Sequence, residues 1–265
     1  MTTPYNEIKA LSYSGAKEIL KSPSHYKAWL EKEESDSPAL RLGRLVHLAS
    51  LQPQVYDRTV RVAPECDRRT KEGKEIWSMF EQSLKEGEEL IKKEDSELIT
   101  NVSLSARDGI DKVIGANGII KPASAPIVET AYEGKLDGIA IKGRPDMVIP
   151  GLNGDAIIDV KTTQSADYKS FSKDCANYKY HLQAAFYMTM TGATRFFIVA
   201  VEKTPPYAHA IFELDAEAIS VGKALMKAAC LTYRECSLYD NWPGYPSSVQ
   251  NLSLPKWALD GSIDI

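Results

Sequence analysis

The stretch IIDVKTT, Ile157 to Thr163, sets the tightest constraint on how this chain folds. Its length and β-branched residues read as a strand buried on both faces. Yet Asp159 and Lys161 sit inside it, and a lone buried charge costs of order several kcal/mol unless it is paired or binds an ion. Just upstream, PGLNGD (Pro150 to Asp155) is dense in turn formers. With Gly151 to Gly154 as the hairpin loop, Ile149 faces Ala156, Val148 faces Ile157, Met147 faces Ile158 and Asp146 faces Asp159. Opposed residues share a sheet face, as do residues two apart on one strand. Asp146, Asp159 and Lys161 therefore converge at one end of the hairpin.

Opposed aspartates repel unless a cation lies between them. Oxygen ligands suit Mg²⁺ or Mn²⁺. A lysine beside them can orient an attacking water and stabilise charge on a phosphoryl oxygen. The plainer reading is a surface hairpin whose carboxylates pair with Lys161 and Arg144.

The other features are ordinary. The 265 residues, 43% hydrophobic, suffice for one sizeable domain. A net charge of −4 carries no global basic field, which argues against a simple polycationic binder but leaves room for a local basic channel. MTTPYNEIKA has no basic segment followed by an apolar run, and no stretch approaches a membrane span. The expectation is a cytoplasmic protein with no membrane partner, whose Cys66, Cys175, Cys230 and Cys236 are thiols.

Helical patterning fills the first 120 residues. Ser14 is placed as the cap of a helix through Ile19 and Leu20 that Pro23 stops, and Ser24 to Leu30 reads as another. Leu40 to Leu51 is an apolar helix, Glu72 to Leu98 one or two exposed helices, and Ser103 to Ile114 a further one. Short β-like runs follow at Pro126 to Tyr132, Gly138 to Lys142, Asp146 to Ile149 and Ala156 to Lys161. Then come a helix at Tyr178 to Thr191, strands at Arg195 to Lys203 and Tyr207 to Leu214, and a helix at Ala216 to Cys236. The expected architecture is α/β: a mixed β-sheet flanked by helices. Residues 1–120 form a mainly helical part, 121–236 the catalytic core and 237–265 an irregular arm of one domain.

GRPD (Gly143 to Asp146) followed by IDVKTT (Ile158 to Thr163) resembles the PD-(D/E)xK nuclease signature. GRLVH (Gly43 to His47) and QAAFY (Gln183 to Tyr187) resemble two further motifs of the RecB-like branch. Together with LSYSGAKEILKSPSHYKAWL and RRTKEGKEIW, these span about residues 11–190 and are most similar to the RecE-type (exonuclease VIII) nucleases. The resemblance implies a metal-dependent exonuclease that degrades linear double-stranded DNA from 5′ ends. It further implies 3′ tails for a single-strand annealing partner, and a ring-shaped homo-oligomer, with a tetramer favoured.

Asp146 and Asp159 are then the main metal ligands and Lys161 positions the water. By resemblance, His47 joins them from its helix, the carbonyl of Val160 completes the shell, and Glu129 is a further acidic candidate on the preceding strand. An imidazole ligand predicts that Mn²⁺ as well as Mg²⁺ supports activity. Gln183 and Tyr187, at i and i+4, share a helix face and are read as contacts to phosphate or the DNA end, or as a face packed on the sheet. Arg44 is a phosphate contact or a surface salt bridge. Thr162 and Thr163 add phosphate hydrogen bonds or simply satisfy strand propensity. Arg68, Arg69, Lys71 and Lys74 form the best local basic patch for DNA phosphates, against a solvated mixed-charge loop. Trp77 is assigned to the core. Two rivals stand: a DNA-binding protein that keeps the fold without catalysis, and an iron–sulfur nuclease that gathers the four thiolates around one cluster.

Overall fold

The computed structural model describes residues 5–32 and 37–255. After a short 3-10 turn at Tyr5–Glu7, the elements in chain order are β1 (Leu11–Ser12), α1 (Tyr13–Ile19), α2 (Pro23–Glu31), α3 (Pro38–Leu51), α4 (Pro53–Thr59) and β2 (Val60–Val62). Next come α5 (Lys71–Ser83), β3 (Glu89–Ile91), α6 (Lys93–Ile114), β4 (Ile127–Val128), β5 (Tyr132–Leu136), β6 (Ile139–Gly143) and β7 (Met147–Ile149). The last are β8 (Ala156–Thr163), α7 (Tyr168–Asn177), α8 (Tyr180–Thr191), β9 (Arg195–Glu202), β10 (His209–Glu213) and α9 (Ala216–Tyr239).

The central sheet runs β10-β9-β8-β7-β4. β8 and β9 are parallel, while β7, β4 and β10 join antiparallel, so the sheet is mixed. The hairpin has the expected register, Met147 opposite Ile158, Val148 opposite Ile157 and Ile149 opposite Ala156. Its turn is closed by Gly154, whose φ of +103° suits glycine alone. A second sheet, β1-β6-β5, ties the N-terminal segment to the core, because β1 pairs in parallel with β6.

Two apolar clusters cover the two faces of the central sheet. Ile157, Phe196, Ile198 and Ala200 pack with Leu182, Phe186 and Met226 from α8 and α9. Ile158, Val160, Phe197 and Val199 pack with Val46 of α3 and with Ile99, Val102 and Ala106 of α6. Each fully buried aliphatic or aromatic side chain contributes roughly 1.5–3 kcal/mol. Helices on both faces explain why β8 and β9 read as continuous apolar runs, and why any charge within β8 is forced to find a partner.

Several boundaries differ from the sequence reading. Ser12, not Ser14, caps α1 by accepting from the Gly15 N–H at 3.2 Å. Pro23 occupies the first turn of α2 behind the Ser22 cap, so it starts a helix as much as it stops one. Residues 72–98 hold α5, the short strand β3 and the start of α6, whose single helix runs from Lys93 to Ile114. α4, β2, β3, β5 and α7 were not anticipated. α9 continues through Tyr239, so the irregular arm starts at Asp240; its last ten residues, 256–265, lie outside the described residues. Among the described residues no helix is long and apolar enough to cross a membrane.

Candidate active site

Asp146 lies one residue before β7 and therefore opposite Asp159 at the open end of the hairpin. Its Oδ2 accepts a 2.7 Å hydrogen bond from the Val160 N–H and sits 3.4 Å from His47 Nδ1. His47 arrives from α3, which covers the opposite sheet face. Glu129 follows β4 directly rather than lying within a strand. Its N–H donates to the Asp146 carbonyl at 3.0 Å, and its backbone is left-handed, with φ of +47°. That turn brings its carboxylate to the cluster, where Arg144 Nε pairs with it at 3.1 Å. Ligand atoms of His47, Glu129 and Asp146 all lie within 4.8 Å of one another.

Asp159 is completely buried. Its Oδ2 contacts the Lys161 ammonium, while no hydrogen bond reaches Oδ1 from the described residues. A buried, half-satisfied carboxylate beside a second carboxylate is costly without a cation. The cluster offers one imidazole and two carboxylates, an oxygen-rich set that fits a hard divalent ion, while Asp159 lies outside it against Lys161.

The two aspartates are pushed in opposite directions. Burial, reinforced by the charge of Asp146, raises Asp159 to about 6 against the pull of Lys161. Burial would also raise Asp146, but His47, Lys161 and the Val160 N–H outweigh it and hold it low. His47 loses basicity to burial and regains more from Asp146, ending at about 9. Glu129 is raised by burial and by Asp146. For Lys161, burial is outweighed by the two aspartates, so its ammonium stays charged.

α8 closes the site from the other side. Gln183 and Tyr187 are buried and joined by a Gln183 Nε2 to Tyr187 Oη bond of 3.2 Å, with Gln183 Oε1 unpartnered among the described residues. Tyr187 comes this close because Gly143 ends β6: a Cβ there would sit 2.8 Å from the Tyr187 ring. Two further residues escaped the sequence reading. Lys161 Nζ lies 5.1 Å from the centre of the Tyr180 ring. Tyr13 of α1 is near enough to feel the charges of both Lys161 and Asp159. Tyr180 stands three residues before Gln183, on the same helix face, which is the signal that could have found it.

The remaining candidates lie in other settings. Arg44 forms a two-pronged ion pair with Glu89, at 2.8 and 3.0 Å, the salt-bridge alternative. Arg69 is held by Asp67 at 3.0 and 3.1 Å, Lys71 lies 4.0 Å from Glu75, and Lys74 is exposed on α5. Arg68 stacks over Trp77 at 4.1 Å, and Trp77 donates to Glu81 at 2.6 Å. Trp77 is half-buried and in neither apolar cluster, contrary to its assignment to the core. Thr163 is buried, its hydroxyl bonded to Ser165 and Asp174, which leaves it a structural rather than a phosphate-facing setting. Thr162 is half-buried and lies toward Gly43 of α3. The four thiols are dispersed: Cys66 precedes α5, Cys175 is on α7, and Cys230 and Cys236 are buried on α9. The one cluster of potential metal ligands among the described residues is that of His47, Glu129 and Asp146.

Comparison with known proteins agrees with this geometry. No curated protein matches the chain. A candidate exonuclease from Eubacterium rectale aligns over 100% of both chains, with a TM-score of 0.60 at 15% identity, and shares the fold. Weaker similarities include a phage-related exonuclease from Haemophilus somnus 129PT, with a TM-score of 0.37, 15% identity, and 87% of this chain and 96% of that one covered. The alkaline exonuclease LHK-Exo from Laribacter hongkongensis gives a TM-score of 0.36, 10% identity, and coverage of 87% and 91%. The family described as "PDDEXK-like domain of unknown function (DUF3799)" matches residues 12–254, and with nearly the whole chain inside that match the protein belongs to this family.

Proposed function

We propose that the protein is a metal-dependent exodeoxyribonuclease that degrades linear double-stranded DNA, from 5′ to 3′, leaving 3′ tails for an annealing partner. The observation that carries this reading is the convergence of His47, Glu129, Asp146, Asp159 and Lys161 at the open end of one hairpin. The names of the fold neighbours support the choice of a nuclease among phosphodiester hydrolases. A homo-oligomeric ring and Mg²⁺ or Mn²⁺ as the ion belong to the same proposal.

His47, Glu129, Asp146, Asp159 and the Val160 carbonyl would hold a divalent cation, which neutralises phosphate charge and lowers the pKa of water. Lys161 is fixed by Asp159 on one side and by the Tyr180 ring on the other. From there it donates to the attacking water or to a non-bridging phosphate oxygen, so their positions are set before reaction. Gln183 and Tyr187 offer an amide and a hydroxyl to the strand as it lies across α8. Arg68, Arg69, Lys71 and Lys74 are exposed at the start of α5, where they would meet backbone phosphates without reading sequence.

Digestion of end-labelled linear duplex beside the same DNA as a closed circle tests the reading. Wild type with Mg²⁺ or Mn²⁺ should consume only the linear form and release the 5′ label first, and EDTA or Lys161→Ala should abolish it. Cutting of the circle would mean an endonuclease. Folded, metal-loaded protein that cuts neither would point to a non-catalytic DNA-binding role.

A further inference from the structure

Beyond the metal cluster, the segment between α7 and α8 holds two tyrosines in an unusual mount. Tyr178 and Tyr180 are stacked, with ring centres 5.7 Å apart and planes 24° from parallel. Tyr180 faces Lys161, 5.1 Å away, while Tyr178 is 53% exposed. The stack thus leads from the reactive lysine out to solvent. The backbone of Tyr178 is held by two hydrogen bonds. The Tyr178 N–H donates to the Asp174 carbonyl at 2.8 Å, and its own carbonyl accepts from Tyr13 Oη at 2.5 Å. Between the rings, Lys179 is left-handed, with φ of 58° and ψ of 44°, a conformation that lysine adopts at a cost. A glycine there would remove the strain. The lysine instead leaves a cation beside the stack; the basicity of Lys17 on α1 is lowered first by burial, is supported by Glu18, and also feels Lys21, Lys161 and Lys179. Rings with a pinned backbone, with Lys17, Lys161 and Lys179 nearby, suit a ligand that is flat on one side and anionic on the other.

We propose that Tyr178 and Tyr180 form a nucleobase platform: a base of the strand whose phosphate lies at Lys161 stacks on the outward face of Tyr178, which Tyr180 backs, with Lys17 and Lys179 beside the neighbouring phosphates. The proposal rests on the nuclease reading and deepens it by naming how the strand is positioned. Stacking on an aromatic face tolerates every base, so the platform orients the strand without selecting sequence. Because the base is gripped equally before and during cleavage, the platform acts on binding rather than on the chemical step.

The test crosses enzyme and substrate. Wild type, Tyr178→Ala and Tyr178→Phe are assayed with Mg²⁺ or Mn²⁺ on two duplexes. One has intact terminal nucleotides, and the other has abasic sugars in place of the last two nucleotides of each strand end. On intact DNA, Tyr178→Ala should raise KM about tenfold with kcat within about twofold. Tyr178→Phe, which keeps the ring, should restore most of that loss. On the abasic duplex the penalty for Tyr178→Ala should vanish, because the ring's partner is already gone. An equal penalty on both duplexes, a loss in kcat alone, or no penalty on intact DNA would each overturn the platform while leaving the nuclease intact. A wild type that cleaves neither duplex would instead sink the nuclease reading, and the platform with it. Matching thermal unfolding curves for the three proteins exclude misfolding as the cause, as expected for so exposed a ring.

Discussion

Asp146 and Asp159 face each other across a hairpin and are pushed apart in acidity, one held low by His47 and the other raised to about 6 by burial. Neighbouring groups driven in opposite directions mark sites built for an ion or for proton chemistry. Lys161 is the residue with no substitute there: Lys161→Ala should lower kcat about 10²–10³-fold while Mn²⁺ still binds, as read by calorimetric titration. His47 gives a pH signature. Its folded value of about 9 exceeds the ordinary 6.5, so the folded state holds the extra proton. The stability it contributes is complete below about pH 6.5 and is lost as pH rises through 9. In EDTA, the denaturation midpoint of wild type should therefore fall over that window more steeply than that of His47→Gln. Parallel curves would show that the His47–Asp146 contact is not formed in solution. Metal binding should strengthen with pH over the same window, since the ion displaces the imidazole proton.

At the scale of elements, the site is a hairpin gripped between α3 and α8. The approach of α8 depends on Gly143, where a methyl group would meet the Met190 methyl at 2.5 Å and the Tyr187 ring at 2.8 Å. Met190 can swing aside, whereas the buried Tyr187 ring cannot. Gly143→Ala should cost about 1–3 kcal/mol by chemical denaturation and should lower activity by displacing Tyr187; unchanged stability would show that the sheet and α8 are further apart. The hairpin register was legible from its turn residues, which place the loop at Gly151 to Gly154; burial alone could not set it, because β7 and β8 are buried on both faces. α3 and α9 were legible from apolar periodicity and β9 from its continuous apolar run. β5 was not, since Tyr132–Leu136 is half-exposed and carries Gly134 at its centre, nor was α7, which buries only Phe171. Glu129 was found as a candidate but not its left-handed turn. Tyr13 was missed because its place beside Lys161 depends on how α1 docks, which no local pattern encodes; Tyr180 was missed although it shares the helix face of Gln183. Arg44 was ambiguous because its partner Glu89 lies on β3, a three-residue strand too short to register in sequence.

At the scale of the molecule, the core clusters do not depend on the site, so the fold should survive without an ion but gain stability from one. At a free Mn²⁺ concentration 100 times Kd the gain is about 2.7 kcal/mol, a rise in Tm of roughly 2–4 °C per kcal/mol for a chain of this size class. Asp146→Asn should abolish that rise, whereas loss of Lys74 on the exposed α5 should not. The net charge of −4 bears on the ring proposal: any channel for DNA must gather the basic residues and leave acidic ones outward. The most direct measurement is the anomalous difference map of a crystal soaked in Mn²⁺. The account predicts a peak bounded by His47, Glu129, Asp146 and Asp159, and its loss in Asp146→Asn crystals. An empty cluster in crystals that retain Mn²⁺-dependent DNA cleavage, or a peak elsewhere on the chain, would contradict it.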